Sequence, residues 1–216
     1  MHFLTEKIGF PNPEEATEEG LLAIGGDLSV ERLMLAYNSG IFPWYETGEA
    51  ILWWSPNPRM VLFPTKFKVS KSLQKTIKSK KFKITFNQNF AEVIKFCASV
   101  PRKGEAGTWI TSEMQAAYIS LHKAAHAISV EVWENDKLVG GLYGVDLPQK
   151  KVFCGESMFS LVSDASKVAF YQLSEYAKAN KYKLIDCQIH NKHLESLGAE
   201  EIERAEFLNV LLPTNN

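Results

Sequence analysis

Cysteine is scarce in this chain: Cys97, Cys154 and Cys187 are the whole complement, an odd number without a C-x-x-C pair. There is no basis for a disulfide framework, and reduced, packed thiols in the cytosol are the expected state. A surplus of charge of one sign is also missing. With 24 basic and 25 acidic residues the formal net charge is -1, so contact with nucleic acid has to come from local clustering and not from the global field. No apolar run approaches a membrane span, and residues 1–7 contain no apolar core for a signal peptide. The expectation is a cytoplasmic protein that stays off the membrane. Internal repeats and low-complexity stretches are absent, and Gly25-Gly26-Asp27 lacks the lysine and the spacing of a phosphate loop.

What is present is enough hydrocarbon for a full core. A chain of 216 residues, 45% hydrophobic, suits one domain of ordinary size with a smaller appendage. Pro56 and Pro58 mark the boundary, giving a small N-terminal domain over 1–57 and a main domain over 58–216. In the first, a short apolar strand over 20–26 precedes a helix from Val30 through Tyr37, capped by Ser29 and ended at Gly40. In the second, Ser70 caps a helix that buries Leu73 and Ile77, a strand covers 83–86, and a helix over 90–99 turns Val93, Ile94 and Cys97 inward. Thr111 or Ser112 caps a helix over 113–125, whose His122 and His126 are expected at the surface because the H-E-x-x-H glutamate is missing. Strands over 127–134 and 138–145 meet at an Asn135-Asp136 turn, and a third strand covers 151–156. A long helix from Ser163 or Asp164 to Ala179 packs Val168, Phe170, Tyr171 and Leu173 inward. A strand over 183–188, a short helix over 190–196 and a last segment over 202–210 complete the chain.

The strand over 183–188 carries the chemistry-bearing pattern. Strand alternation points Asp186 and Gln188 one way and Ile185 and Cys187 the other. A carboxylate and an amide on one face of an apolar strand are costly to bury unless each satisfies the other or a ligand does. The plain alternative has Gln188 capping a helix and Asp186 paired with a lysine at the strand mouth. Three of the five tryptophans, Trp44, Trp53 and Trp54, fall in proline-braced segments that form either a second small core or a stacking platform for rings. From Lys66 to Lys83 there are eight lysines and no acidic residue. Lys71, Lys75 and Lys78 line one helix face at i, i+4, i+7, where like charges repel, so the face is either a docking site for a polyanion or a solubilising surface.

The layout, a β-meander, a long helix and a returning strand, is α+β (mixed α/β) and resembles acyltransferases of the GNAT type. The strand-to-helix connection over 157–164 has no glycine and carries Asp164, which argues against CoA. Taken together, Gly20-Leu21-Leu22-Ala23-Ile24-Gly25-Gly26-Asp27-Leu28, Gly40-Ile41-Phe42-Pro43-Trp44, Trp53-Trp54-Ser55-Pro56, Gly107-Thr108-Trp109-Ile110, Phe153-Cys154-Gly155-Glu156-Ser157-Met158-Phe159-Ser160 and Asp186-Cys187-Gln188 resemble the leucyl/phenylalanyl-tRNA-protein transferase family. The resemblance implies a GNAT-like domain preceded by a small N-terminal domain. The implied activity moves Leu or Phe, with Met a further candidate, from aminoacyl-tRNA to proteins beginning with Arg or Lys, tagging them for N-end rule degradation. A monomer is expected, and because the donor ester is already activated, no cofactor and no metal. Trp44 and Trp109 match stacking surfaces around the tRNA 3′-terminal adenosine. Leu142, Phe153, Met158 and Leu173 match the apolar pocket for the donor side chain; relatives can carry Met at Leu142 and an aromatic at Leu173.

An aminoacyl ester is already activated, so the remaining tasks are placing the amine, removing its proton and stabilising the oxyanion. Gln188 is expected to accept a hydrogen bond from the amine and Asp186 to orient and polarise Gln188. Glu156 is expected to attract the cationic amine or the acceptor's basic side chain, and Asn191 to touch a ribose. Lys71, Lys75 and Lys78 are expected on the phosphates of the acceptor stem.

Overall fold

The structure, a computed structural model, describes residues 2–99 and 108–212. The loop over 101–107 that leads to Trp109, with the Gly107 of its motif, and the chain end over 213–216 lie outside the described residues.

The N-terminal segment builds a four-stranded sheet from β1 (His2–Leu4), β2 (Leu21–Gly25), β3 (Phe42–Pro43) and β4 (Leu52–Trp54) in the order β1-β2-β4-β3. Helix α1 (Val30–Asn38) starts where expected, with the Ser29 side chain accepting from the Arg32 amide. It ends at Gly40, whose φ of +76° and whose bare Cα let Leu208 approach; a Cβ there would lie 2.5 Å from its side chain.

The chain then enters a second, seven-stranded sheet at β5 (Arg59–Leu62). Helix α2 (Lys71–Lys78), strand β6 (Lys83–Phe86) and helices α3 (Phe90–Ser99) and α4 (Ser112–Lys123) lead to the antiparallel strands β7 (Ala127–Glu134), β8 (Lys137–Leu147) and β9 (Val152–Ser160). Helix α5 (Ala165–Ala179) brings the chain back as β10 (Leu184–Gln188) between β5 and β9, and α6 (Lys192–Ser196), edge strand β11 (Glu200–Ile202) and α7 (Arg204–Leu211) finish it. The order is β11-β5-β10-β9-β8-β7-β6. Ser70 and Thr111 cap α2 and α4 as their spacing implies, and Asn135 and Asp136, both at positive φ, make the β7–β8 turn.

Two expectations are corrected. Strand β9 runs four residues past Glu156, because Ser157 to Ser160 keep pairing with Tyr143 to Gly140 after a bulge. The connection to α5 is therefore shorter than the sequence suggests. His122 is not a surface residue: it is half-buried, stacks on Phe90 with centroids 4.3 Å apart, and its Nδ1 lies 2.8 Å from the Ala127 carbonyl.

The large sheet is covered on both faces. One face packs against α5 through Leu142, Phe153, Leu173, Ile185 and Cys187. The other packs against α3, α4 and the N-terminal segment, so that Leu22, Leu33 and Trp53 share one cluster with Val93, Tyr118 and Phe207. The N-terminal sheet thus contributes to the core that backs the site.

Candidate active site

The site is built where two strands part. Strands β9 and β10 pair in parallel only through Leu184↔Val152, Ile185↔Phe153 and Asp186↔Cys154. Beyond that point β9 follows β8 and β10 follows β5, so a gap opens between them. Each strand places one polar side chain at the opening by leaving regular geometry. Glu156 occupies the β9 bulge, between the pairs Gly144↔Gly155 and Tyr143↔Ser157. Gln188 stands at φ 59°, and the Ile189 amide donates to the Cys187 carbonyl at 2.9 Å across it. That is a γ-turn with a positive central φ, a rare and strained form for a residue other than glycine. The Gln188 Nε2 donates to Glu156 Oε1 at 3.4 Å, closing the pair across the gap.

Glu156 is held from behind by two phenols. Tyr37 Oη, on α1, lies 2.8 Å from Oε1, and Tyr118 Oη, on α4, lies 2.9 Å from Oε2; the two hydroxyls also contact each other. Burial pushes the Glu156 carboxyl up to about 7, against the two phenol hydrogen bonds that favour its charged form. Burial, with the neighbouring carboxylate, drives both phenols well above their ordinary value. Glu156 is therefore the member of this network that changes charge near neutral pH.

Asp186 has a different environment. It is fully buried, and Arg59 of β5 grips it at both oxygens, Nε to Oδ1 at 2.8 Å and Nη2 to Oδ2 at 2.7 Å. Its Oδ1 also accepts from the Gln188 backbone amide at 3.0 Å. Arg59 is 1% exposed, donates through Nη1 to the Gly40 carbonyl, and lies between the rings of Phe42 and Phe207, 4.9 and 4.5 Å from their centroids. Burial opposes the guanidinium charge, the Asp186 carboxylate outweighs that, and the group sits above its ordinary value.

Alternation set the faces of Ile185, Asp186 and Cys187 correctly, but the relation between Asp186 and Gln188 is not the expected one. Asp186 reaches the backbone of Gln188 and not its amide, whose partner is Glu156. The plain alternative also fails in detail, since the partner of Asp186 is an interior arginine and not a lysine at the strand mouth. Arg59, Tyr37 and Tyr118 were missed. Arg59 follows Pro58 just past the tryptophan-proline motif and carries a usable signal, a charge at the start of an apolar run; Tyr37 and Tyr118 lie on helices and carry no local signal of their role.

The pocket candidates lie on the opposite face of the sheet. Leu142 and Phe153 are buried against α5, which contributes Leu173 to the same cluster, with half-buried Met158 beside them. The tryptophans divide: Trp53 is core, while Trp44 is 40% exposed and packs on Trp54 with ring centroids 5.9 Å apart. Trp109 is half-buried against the same cluster as Trp54. The Asn191 side-chain oxygen is occupied in capping α6, accepting from His193 and Leu194 at 2.9 and 3.2 Å, so a ribose would meet only its amide nitrogen. Lys71, Lys75 and Lys78 are exposed along α2 with Leu73 beneath them. Among the described residues no group of three or more His, Cys, Asp or Glu is placed to hold a metal ion, and no helix is long and apolar enough to cross a membrane.

A family model described as leucyl/phenylalanyl-tRNA protein transferase matches residues 61–212, and one for the N-terminal domain of the same family matches residues 26–57. The chain is 60% identical over 211 residues to the leucyl/phenylalanyl-tRNA–protein transferase of Flavobacterium psychrophilum, covering 98% of this chain and 99% of that one. It is 58% identical to the protein of the same name from Flavobacterium johnsoniae, with the same coverage. Among solved structures, a ribosomal-protein-alanine N-acetyltransferase from Brucella melitensis aligns at 12% identity and TM-score 0.38 over 54% of this chain and 86% of that chain.

Proposed function

Since the chain belongs to the leucyl/phenylalanyl-tRNA–protein transferase family, we propose that it joins the aminoacyl group to acceptors with N-terminal Arg or Lys, and does so at the gap between β9 and β10. The protein is an aminoacyltransferase that takes aminoacyl-tRNA and protein substrates. Tagging of the acceptors for N-end rule degradation, a monomeric state and a cytoplasmic location go with this reading, as does a division into a small N-terminal domain over 1–57 and a catalytic domain over 58–216.

In the proposed reaction the α-amine attacks the ester carbonyl, an amide forms, and the tRNA ribose oxygen leaves as a hydroxyl. The Gln188 Nε2 is committed to Glu156, which leaves its carbonyl oxygen to accept a hydrogen bond from the amine and orient the nitrogen lone pair. Glu156, raised to about 7, takes the proton. Asp186 is a poor candidate for that role because Arg59 occupies both of its oxygens in an enclosed interior. Trp44 and Trp109 would stack on the 3′-terminal adenosine, Leu142, Phe153, Met158 and Leu173 would receive the donor side chain, Asn191 would approach a ribose, and Lys71, Lys75 and Lys78 would meet acceptor-stem phosphates.

The observation that carries this reading is the Gln188–Glu156 contact across the parting strands. The test is transfer of label from Phe-tRNA to an Arg-leading peptide under single-turnover conditions. Gln188→Ala and Glu156→Gln are expected to slow transfer ~100-fold or more with tRNA binding intact. Unchanged rates in both would refute the site.

A further inference from the structure

We infer that Arg59 is a positioning residue for the transfer reaction: it fixes the Asp186 carboxylate, and Asp186 in turn holds the strained turn that aims the Gln188 amide into the gap. The inference rests on Gln188 being the group that orients the amine.

The steps are geometric. A residue at φ 59° whose flanking residues close a γ-turn does not keep that conformation unless its surroundings over-determine it. The restraint at Gln188 is its own amide hydrogen, donated to Asp186 Oδ1. Asp186 can serve as a fixed acceptor because both of its oxygens are engaged by the Arg59 fork, a planar donor pair whose direction is set. Arg59 is itself clamped by the Gly40 carbonyl and the Phe42 and Phe207 rings. Gly40 closes the helix that carries Tyr37, so one turn of the N-terminal segment reaches the reacting pair twice, through Arg59 to Gln188 and through Tyr37 to Glu156. Gln188 still pairs with Met60 of β5 after the register shift, so relaxing the turn would re-aim its side chain and withdraw it from Glu156.

The test compares full-length wild type, Arg59→Lys, Asp186→Asn, the double variant and Gln188→Ala. A lysine keeps the charge and loses the fork. Arg59→Lys is expected to lower kcat about 10- to 100-fold, leave the Kd for Phe-tRNA within about twofold, and leave the inflection of the pH–rate profile in place. Because both residues act through one turn, the double variant should lose no more than about threefold beyond the worse single variant. A folded Arg59→Lys protein within threefold of wild-type kcat, or losses that multiply in the double variant, overturns the inference. Should Arg59→Lys fail to fold, amide exchange in the wild type decides. The Gln188 amide is expected to be as protected as that of Leu184 in the same strand, and exchange at the rate of an open loop overturns the proposal. Full activity in Gln188→Ala would instead defeat the underlying site assignment, whatever Arg59→Lys does.

Discussion

Removing one phenol from behind Glu156 tests the electrostatics of the site most directly. In Tyr37→Phe, Oε1 loses a donor 2.8 Å away while the ring and its packing remain. That donor favours the carboxylate, so its loss moves the Glu156 carboxyl further above about 7. One net hydrogen bond to a charged group, about 1.5 kcal/mol, corresponds to roughly one pH unit. If the carboxylate is the active form, single-turnover transfer from Phe-tRNA to an Arg-leading peptide should rise with pH. The inflection should shift up by as much as about one unit in Tyr37→Phe, giving close to a tenfold loss at pH 6 and little loss at pH 9. The acceptor amine titrates at ~7.7 to 8 in every variant, so the difference between variants isolates Glu156. Glu156→Gln keeps the neighbours and removes the titration, and its profile should follow the amine alone. An inflection that stays put or moves down in Tyr37→Phe refutes the reasoning.

The same carboxyl links stability to pH. Its folded value lies above the ordinary 4.5, so its contribution is fully present below that value and is lost as pH rises through about 7. Glu156→Gln should therefore melt at a higher temperature than wild type at pH 8, by the equivalent of about 1–3 kcal/mol, with little difference at pH 4.5. Replacing Lys71, Lys75 and Lys78 together should weaken tRNA affinity and flatten its dependence on salt; an unchanged slope would leave that face as a solubilising surface. Trp44→Ala, at a 40% exposed site, should cost tRNA affinity and hardly any stability, whereas Trp53→Ala, fully buried, should cost about 3–5 kcal/mol in a denaturant titration. Leu173→Phe adds bulk to a packed site on α5 and should lower the thermal midpoint while shifting the relative rates of Leu- and Phe-tRNA.

Local pattern was enough for much of the architecture. Ser29, Ser70 and Thr111 each cap the helix their spacing implies, because a cap is a contact over three residues and needs nothing remote. Period-two alternation put Ile185 and Cys187 against α5 and left Asp186 facing the other way. The same rule stopped short at Glu156, where an extra residue in β9 resets the alternation, and at Gln188, where the turn shifts the register against Met60 and re-aims the side chain. Both departures lie at the Glu156–Gln188 contact.

The sequence by itself determined most of the helices, the strands of the meander and the presence of polar groups on a buried strand, since those follow from interactions within a few residues, but not the short strands β1, β3, β4, β5 and β11. Which groups those polar atoms meet was decided only by the tertiary structure. Arg59 reaches Asp186 across 127 residues, and Tyr37 reaches Glu156 across 119. A buried charge must find a partner, but nothing in its local pattern says from which strand or helix the partner comes. Chain topology sets that pairing, and with it the different environments that leave Asp186 a fixed acceptor and Glu156 a group that titrates near neutrality.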